Sequence, residues 1–281
     1  MKNKIKKSFL KSPLYSTKFE KYFEIYENLF RKYINKKITF VEVGVAMGGS
    51  LFMWRNYFGK KANIIGIDLN PEAKKLSKFG FNIVVGDQSD KIFWKNFYSK
   101  IGKIDILLDD GGHTNIQQIS TLANSVNNIN DGGMIVVEDT QTSYMKKGFN
   151  NPSSNSFINY SKYAIDSIHR RSPMLNFQQN IYSNKVYSIY YYESLVAFNI
   201  DSSKCDKNKI VSNKKEEIYF SDYRHKGYYV KIYNIVKKNF PYLLNFRIMI
   251  FLIKKFSGRN LFYLINKFKI FSYFSKIKKN Y

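Results

Sequence analysis

The hydrophobic positions of this chain fall into two rhythms. Short apolar runs rich in Ile and Val occur at Ile38 to Val43, in NIIGID ending at Asp68, in FNIVV ending at Gly86–Asp87, at Ile104 to Leu108 and at Met134 to Val137. Each is bounded by Gly, Pro or polar residues, and such runs read as strands buried on both faces of a parallel sheet. Between them the apolar residues recur at helical spacing. Pro71 is placed to open a helix that ends near Gly80, and Asp90 to Lys100 and Thr114 to Asn128 predict two more. Asp131–Gly132–Gly133 is expected to turn into the fifth strand. Strand and helix alternating through short links imply right-handed crossovers, hence a Rossmann-like α/β fold with helices on both faces of the sheet. VYSIYYYESLVAFNI predicts two further strands, Val186 to Tyr192 and Leu195 to Ile200, an antiparallel hairpin that closes the sheet.

The flanks are patterned differently. Phe19, Phe23, Ile25–Tyr26 and Leu29–Phe30 recur at roughly helical spacing, so residues 1–37 read as a basic lead-in followed by a helix. Residues 145–183, rich in Asn, Ser and Gln with a helix predicted from Phe157 to Arg171, read as a covering over a site rather than as core. Composition shifts at Asp201 to Glu217. Beyond it, Tyr229, Ile232, Tyr233 and Val236 share one helical face, and so do Leu261, Leu264–Ile265, Phe268, Phe271 and Phe274. The expected organisation is therefore 1–37 lead-in, 38–200 main domain and 201–281 basic, aromatic helical extension.

Composition narrows the setting. The single cysteine, Cys205, excludes an internal disulfide framework and any CxxC metal site, and it fits a reducing cytoplasm. The basic N-terminus lacks the apolar centre of a secretory signal, and Lys or Arg interrupts every apolar run of the C-terminal part, so no spanning helix is expected. The net charge of +25 is uneven: Met1 to Phe19 and Tyr223 to Tyr281 contain no acid. Such asymmetry implies attraction to polyanions, whether nucleic acid, anionic lipid or an anionic glycan. For residues 223–281 it suggests contact with an anionic membrane, which would place a cytoplasmic protein at the inner membrane face.

Candidate chemistry gathers at the strand ends. Asp109–Asp110 closes the fourth strand and Glu138–Asp139 the fifth, and His113 follows three residues after Asp110. In open α/β sheets, ligands bind beyond the carboxyl ends of the strands. Four carboxylates and an imidazole collected there repel one another unless compensated. A divalent cation is the simplest compensation, and hard oxygen donors suit magnesium or manganese.

The Gly-rich turn Gly44 to Gly49, leading into a helix opened by Ser50, lets backbone approach a ligand closely. Asp68, at the end of the second strand, stands where a carboxylate can accept from both hydroxyls of a ribose. The turn fits the dinucleotide pattern G-x-A-x-x-G only in degenerate form. It reads better as Glu42-x-Gly44-x-x-x-Gly48. The acid within that strand suits the cationic sulfonium and ammonium of S-adenosylmethionine, which has no pyrophosphate.

These motifs occur together and in order: EVGxxxGGSLxMW, Asp68, GDQ at Gly86 to Gln88, DDGGH and EDTQTSY. The combination resembles the class I S-adenosylmethionine-dependent methyltransferases. More narrowly, it resembles the metal-dependent sugar O-methyltransferases of macrolide biosynthesis, of macrocin and mycinamicin type. The likeness spans residues 38–200; Gly112 stands where relatives often have Ser. It implies that Glu42, Gly44 and Gly48 line the methionine part of the cofactor, with Ser50 beside them. By the same resemblance Asp68 holds the ribose, Asp87–Gln88 the adenine side, and Asp109 faces the cofactor. Asp110, Glu138 and Asp139 would bind the magnesium-like ion, and His113 would be the catalytic base. The implied activity is O-methylation of a sugar hydroxyl on a nucleotide sugar, a glycolipid or a surface polysaccharide such as a capsule. Tyr144 and Tyr190 to Tyr192 are candidates for lining the sugar pocket.

Two other functions remain open at this level. A nucleic-acid methyltransferase would suit the charge and the aromatics, but DDGGH stands where a base-methylating N/D-P-P-Y/F motif would be. A non-catalytic, basic membrane- or glycan-binding protein on the same scaffold would bind no cofactor. Homo-oligomerisation is left open.

Overall fold

The computed structural model describes residues 4–147, 149, 154–176, 178–216, 234–245, 247 and a few positions between 266 and 275. The chain forms two compact units, residues 1–210 and 211–281. In the second, the described residues include a helical stretch at 234–239 and a 3-10 turn at Pro241–Asn245. Of the helical faces expected there, Tyr229, Ile232, Tyr233, Leu261, Leu264, Ile265 and Phe268 lie outside the described residues; Phe271 and Phe274 are exposed. No helix among the described residues is long and apolar enough to cross a membrane.

The first unit is built on one seven-stranded sheet. In chain order its strands are β1 (Thr39–Val43), β2 (Asn63–Asp68), β3 (Asn82–Val85), β4 (Ile104–Asp109), β5 (Ile129–Glu138), β6 (Val186–Tyr192) and β7 (Leu195–Ile200). Their spatial order is β3-β2-β1-β4-β5-β7-β6. The first five are parallel; β7 pairs antiparallel with β5, and β6 antiparallel with β7. β4 runs one residue past the expected Ile104 to Leu108, and the closing hairpin matches its expected spans. β5 differs: it begins at Ile129 and runs through Asp131–Gly132–Gly133. A register shift against β4 between Ile104 and Ile106, with Gly132 at φ +84°, absorbs the extra residues as a bulge rather than a turn.

Strand parity sorts the core into two layers. Phe40, Ile106, Leu108, Met134 and Val136 face one way, toward α1 (Lys4–Leu10), α2 (Tyr22–Phe30) and α3 (Gly49–Phe58). Val41, Val43, Leu107, Ile135 and Val137 face the other, toward α4 (Lys91–Ile101), α5 (Asn115–Ser125) and α6 (Phe157–His169). The first layer is locked by aromatics. Trp54 lies 4.8 Å from Phe40 and 5.1 Å from Tyr26 between ring centroids, and all three are fully buried. Truncating a ring of this kind typically costs about 3–5 kcal/mol, and Tyr26 carries α2 into this cluster beside Trp54 of α3.

Residues 145–183 correct one expectation. Phe157 and Ala164 of α6 are buried in the second layer, packed on the sheet together with Ile168. None of the described residues of this segment lines the large cleft. Helix α6 of this segment is therefore part of a core layer, because Phe157, Ala164 and Ile168 share one helical face.

Candidate functional site

The carboxyl ends of β1, β2, β4 and β5 open into a cleft of about 750 Å³, the size class of a small-molecule site. Backbone bonds hold its rim together: Gly44 N–H donates to Ile67 O (2.8 Å), Asp110 N–H to Val43 O (2.9 Å) and Gly86 N–H to Asp68 O (2.9 Å). Gly44, at φ +83°, passes so close to the next strand end that an added Cβ would lie 2.1 Å from Asp110 O. The turn must have glycine there.

At the donor end, Asp68 Oδ2 accepts from the N–H groups of Val45 (3.0 Å) and Ala46 (3.1 Å), which ties the Gly-rich turn to β2. Its Oδ1 accepts from Asn70 N–H, and Asp87 Oδ1 accepts from Ser89 N–H and Oγ. Of the residues expected to bind the cofactor, Gly44, Ser50, Asp68, Asp87 and Gln88 line the cleft. Three others do not. Glu42 shares its parity with Phe40 and points into the α3 layer, where Ser50 Oγ (2.8 Å) and Trp54 Nε1 (3.0 Å) donate to it. Gly48 starts α3 against Leu76. Asp109 shares its parity with Leu107 and is buried under the opposite face, where Gln88 Nε2 donates to both its oxygens at 2.8 and 3.0 Å. Glu42 and Asp109 thus act on the cleft from behind its wall, through Ser50 and Gln88. Gln88 Oε1 also accepts from Gly112 N–H, which shapes the DDGGH loop.

Burial pushes the Glu42 carboxyl up to about 7 against the pull of Lys18. A carboxyl raised on folding stabilises the protein fully below its unfolded value of 4.5 and loses that contribution as pH rises through 7. The amount at stake is on the order of 3 kcal/mol. Glu42→Gln is therefore expected to melt close to the wild type at pH 4.5 and increasingly above it as pH rises to 8. Equal pH profiles in thermal unfolding would contradict this.

At the other end of the cleft, Asp110, His113 and Asp139 each offer a ligand atom, all within 4.8 Å of one another. His113 and Asp139 have left-handed backbone, φ +57° and +53°, a strained conformation of the kind that collects at working sites. His113 Nε2 lies 3.4 Å from Asp139 Oδ2, and its Nδ1 is buried without a hydrogen-bond partner. Two hard carboxylates beside open cleft fit a magnesium-class ion, which commonly uses one or two protein carboxylates and takes its other oxygens from water or substrate.

Glu138, the third acid expected to bind the ion, sits deeper than Asp110 and Asp139. It lines the cleft but is fully buried, and both its oxygens are already engaged. Tyr26 OH donates to Oε1, and the Lys18 ammonium donates to Oε2 at 2.9 Å. The same ammonium also pairs with Asp110 Oδ2. Burial alone would disfavour the Lys18 charge. Asp110, Glu138 and Glu42 together outweigh it and hold the group above the ordinary lysine range. The Tyr22 hydroxyl sits 2.9 Å from both Asp139 Oδ1 and Ser194 O and accepts from Asp139 N–H.

Lys18, Tyr22 and Tyr26 escaped the sequence reading. For Tyr22 and Tyr26 the signal available was their i, i+4 spacing, which puts two hydroxyl tips on the apolar face of the first long helical pattern. Tyr15 and Thr17 line the cleft as well, and Ser12 Oγ donates to Gly49 O at 2.9 Å. The stretch before α2 is thus a strap running from the Gly-rich turn to the carboxylates. Tyr144 and Tyr190 to Tyr192 do not reach the cleft.

A sheet in this order, with one reversed strand inserted beside β5 and the cleft at the parallel edge, is the class I methyltransferase fold. Solved structures bear this out. The MycE methyltransferase from the mycinamycin biosynthetic pathway, in complex with Mg and SAH, superposes at a TM-score of 0.64 with 23% identity, covering 77% of this chain and 57% of MycE. Its complex with Mg, SAH and mycinamycin VI gives 0.64 at 22%, covering 76% and 56%.

In sequence the chain is similar to sugar O-methyltransferases. It is 32% identical over 157 residues to the 8-demethyl-8-alpha-L-rhamnosyl tetracenomycin-C 2'-O-methyltransferase of Streptomyces olivaceus, covering 53% of this chain and 41% of that protein. It is 31% identical over 126 residues to the mycinamicin VI 2''-O-methyltransferase of Micromonospora griseorubida, covering 42% and 31%. The chain thus spans less than half the length of these curated relatives. No protein-family model matches it.

Proposed function

We propose that this protein transfers the methyl group of S-adenosylmethionine to a sugar hydroxyl with the help of a divalent cation. The observation that carries the reading is one cleft with two chemically distinct ends: the Gly44–Ser50 turn with Asp68 and Asp87 at one, and Asp110, His113 and Asp139 at the other. The first end suits a nucleoside with a cationic tail. The second suits an oxygen nucleophile that must lose a proton.

Asp110 and Asp139 are the groups that would hold the cation, and their approach is fixed by the β4 and β5 ends. When bound, a magnesium-class ion supplies Lewis acidity that lowers a hydroxyl pKa and favours a vicinal diol as a two-point ligand. His113 is in reach of the same place and accepts the hydroxyl proton; a positioned base contributes roughly 10²–10⁴-fold. The carboxylates beside His113 stabilise the imidazolium this creates. Asp68 and the Gly-rich turn set the donor so that oxygen, methyl and sulfur fall in line, and such positioning contributes by proximity.

The sugar specificity of the curated relatives supports a glycan acceptor. A nucleotide sugar or a surface glycan such as a capsule component is the acceptor class we favour, with the protein in the cytoplasm. The acid-free basic stretch 223–281 would then bring the protein to the inner membrane face.

The test is calorimetry with S-adenosylmethionine, followed by a screen of nucleotide sugars for methyl transfer by mass spectrometry with and without chelator. The expected results are donor binding and transfer abolished by chelator. Absence of donor binding would refute the enzyme reading, and chelator-insensitive transfer would remove the cation from it.

A further inference from the structure

Glu138 is the most deeply buried acid of the carboxylate end, and its partners come from outside the parallel sheet. Lys18, on the strap, has a side chain only 2% exposed, and its ammonium bridges Glu138 and Asp110. Tyr26 OH occupies the remaining oxygen of Glu138. A fixed positive charge therefore stands within the group of acids that would attract a divalent cation, and one of those acids already has a partner on each oxygen without it. Both effects weaken divalent binding. Charge repels charge at short range in a poorly hydrated site, and a carboxylate paired on both oxygens is a poor ligand.

We propose that Lys18 is a resident counter-cation that competes with the divalent metal for Asp110 and keeps Glu138 out of its coordination. The metal is then held by Asp110 and Asp139 with positions left open, which is the arrangement a bidentate sugar diol needs. Lys18 is a positioning residue: it acts through the two carboxylates. The inference rests on the reading that this end of the cleft takes a divalent cation. It departs from the simple expectation that three acids share the ion equally.

The experiment is Mn²⁺ binding to the full chain, read by calorimetry and by the loss of the free-ion electron paramagnetic resonance signal, with no methyl donor present. Lys18→Met is expected to tighten Mn²⁺ binding by about tenfold or more, because repulsion is lost and Glu138 becomes a ligand. Lys18→Arg keeps the charge and should bind Mn²⁺ as the wild type does. Adding Glu138→Gln to Lys18→Met should cancel most of the gain.

A merely structural role for Lys18 predicts weaker metal binding in Lys18→Met. That result, or no change, would overturn the proposal, and so would equal tightening in Lys18→Arg. If Lys18→Met folds only with metal present, a larger Mn²⁺-induced rise in melting temperature than in the wild type supports it, and an equal or smaller rise overturns it. No Mn²⁺ binding by either protein overturns it too. S-Adenosylmethionine binding, measured separately on the same proteins, decides whether the methyltransferase reading survives.

Discussion

Asp139→Asn is expected to lower methyl transfer by about 10³-fold or more while leaving S-adenosylmethionine binding within about threefold of the wild type. The substitution keeps size and shape. Asn also tolerates the left-handed backbone that Asp139 adopts at φ +53°. It removes the charge that faces His113 Nε2 at 3.4 Å and one of the two carboxylates open to a cation. Tyr22 still has an oxygen to meet at that position, so the fold should hold. Initial rates across a Mn²⁺ titration, beside donor calorimetry, separate the two effects. A loss smaller than tenfold at saturating Mn²⁺ would exclude Asp139 from the reacting end.

Gly44→Ala is expected to be the most damaging single methyl group in the cleft. The added carbon would lie 2.1 Å from Asp110 O and 2.7 Å from Gly111 Cα, backbone atoms with no rotamer by which to yield. The φ of +83° adds its own penalty. Pushing the β1 turn away from the β4 end would spoil both the donor loop and the seat of Asp110. A cost of roughly 3 kcal/mol or more follows, about 6–12 °C in melting temperature for a unit of this size. Donor affinity should fall by about 10²-fold. Gly80→Ala is the control: it has a comparable φ of +78° in the left-handed helical region, but the nearest atom to an added Cβ is Arg55 Nη1 at 3.9 Å, so it should cost only about 1–2 kcal/mol. Equal melting temperatures for the two variants would show that the close approach at Gly44 does not matter.

Much of the sheet was legible because a buried parallel strand leaves a local mark. Ile104 to Leu108 and the hairpin Val186 to Ile200 are bounded by residues that break the pattern within one or two positions. β5 was misjudged at its start because Gly132–Gly133 also reads as a turn. Only the register against β4 tells a bulge from a turn, and that is a long-range fact. Within the site, strand parity separates the acids that reach the cleft from those behind it. Asp109 and Glu42 continue the alternation of Leu107 and Phe40 into opposite helix layers, whereas Asp110 lies past the last strand residue and turns into the opening. That distinction was available in the sequence and was missed. Lys18 is another matter. Its meaning depends on partners 92 and 120 residues downstream, and no local pattern could have assigned it to them.

The same separation has a temporal side. Tyr22 reaches Ser194 across 172 residues, so the constellation at the sheet edge has no complete form until nearly the whole first unit has left the ribosome. Contacts that close such long loops are slow to form. The strap has its partners only once the closing hairpin is in place, so the appearance of activity during refolding should follow, not precede, formation of the sheet.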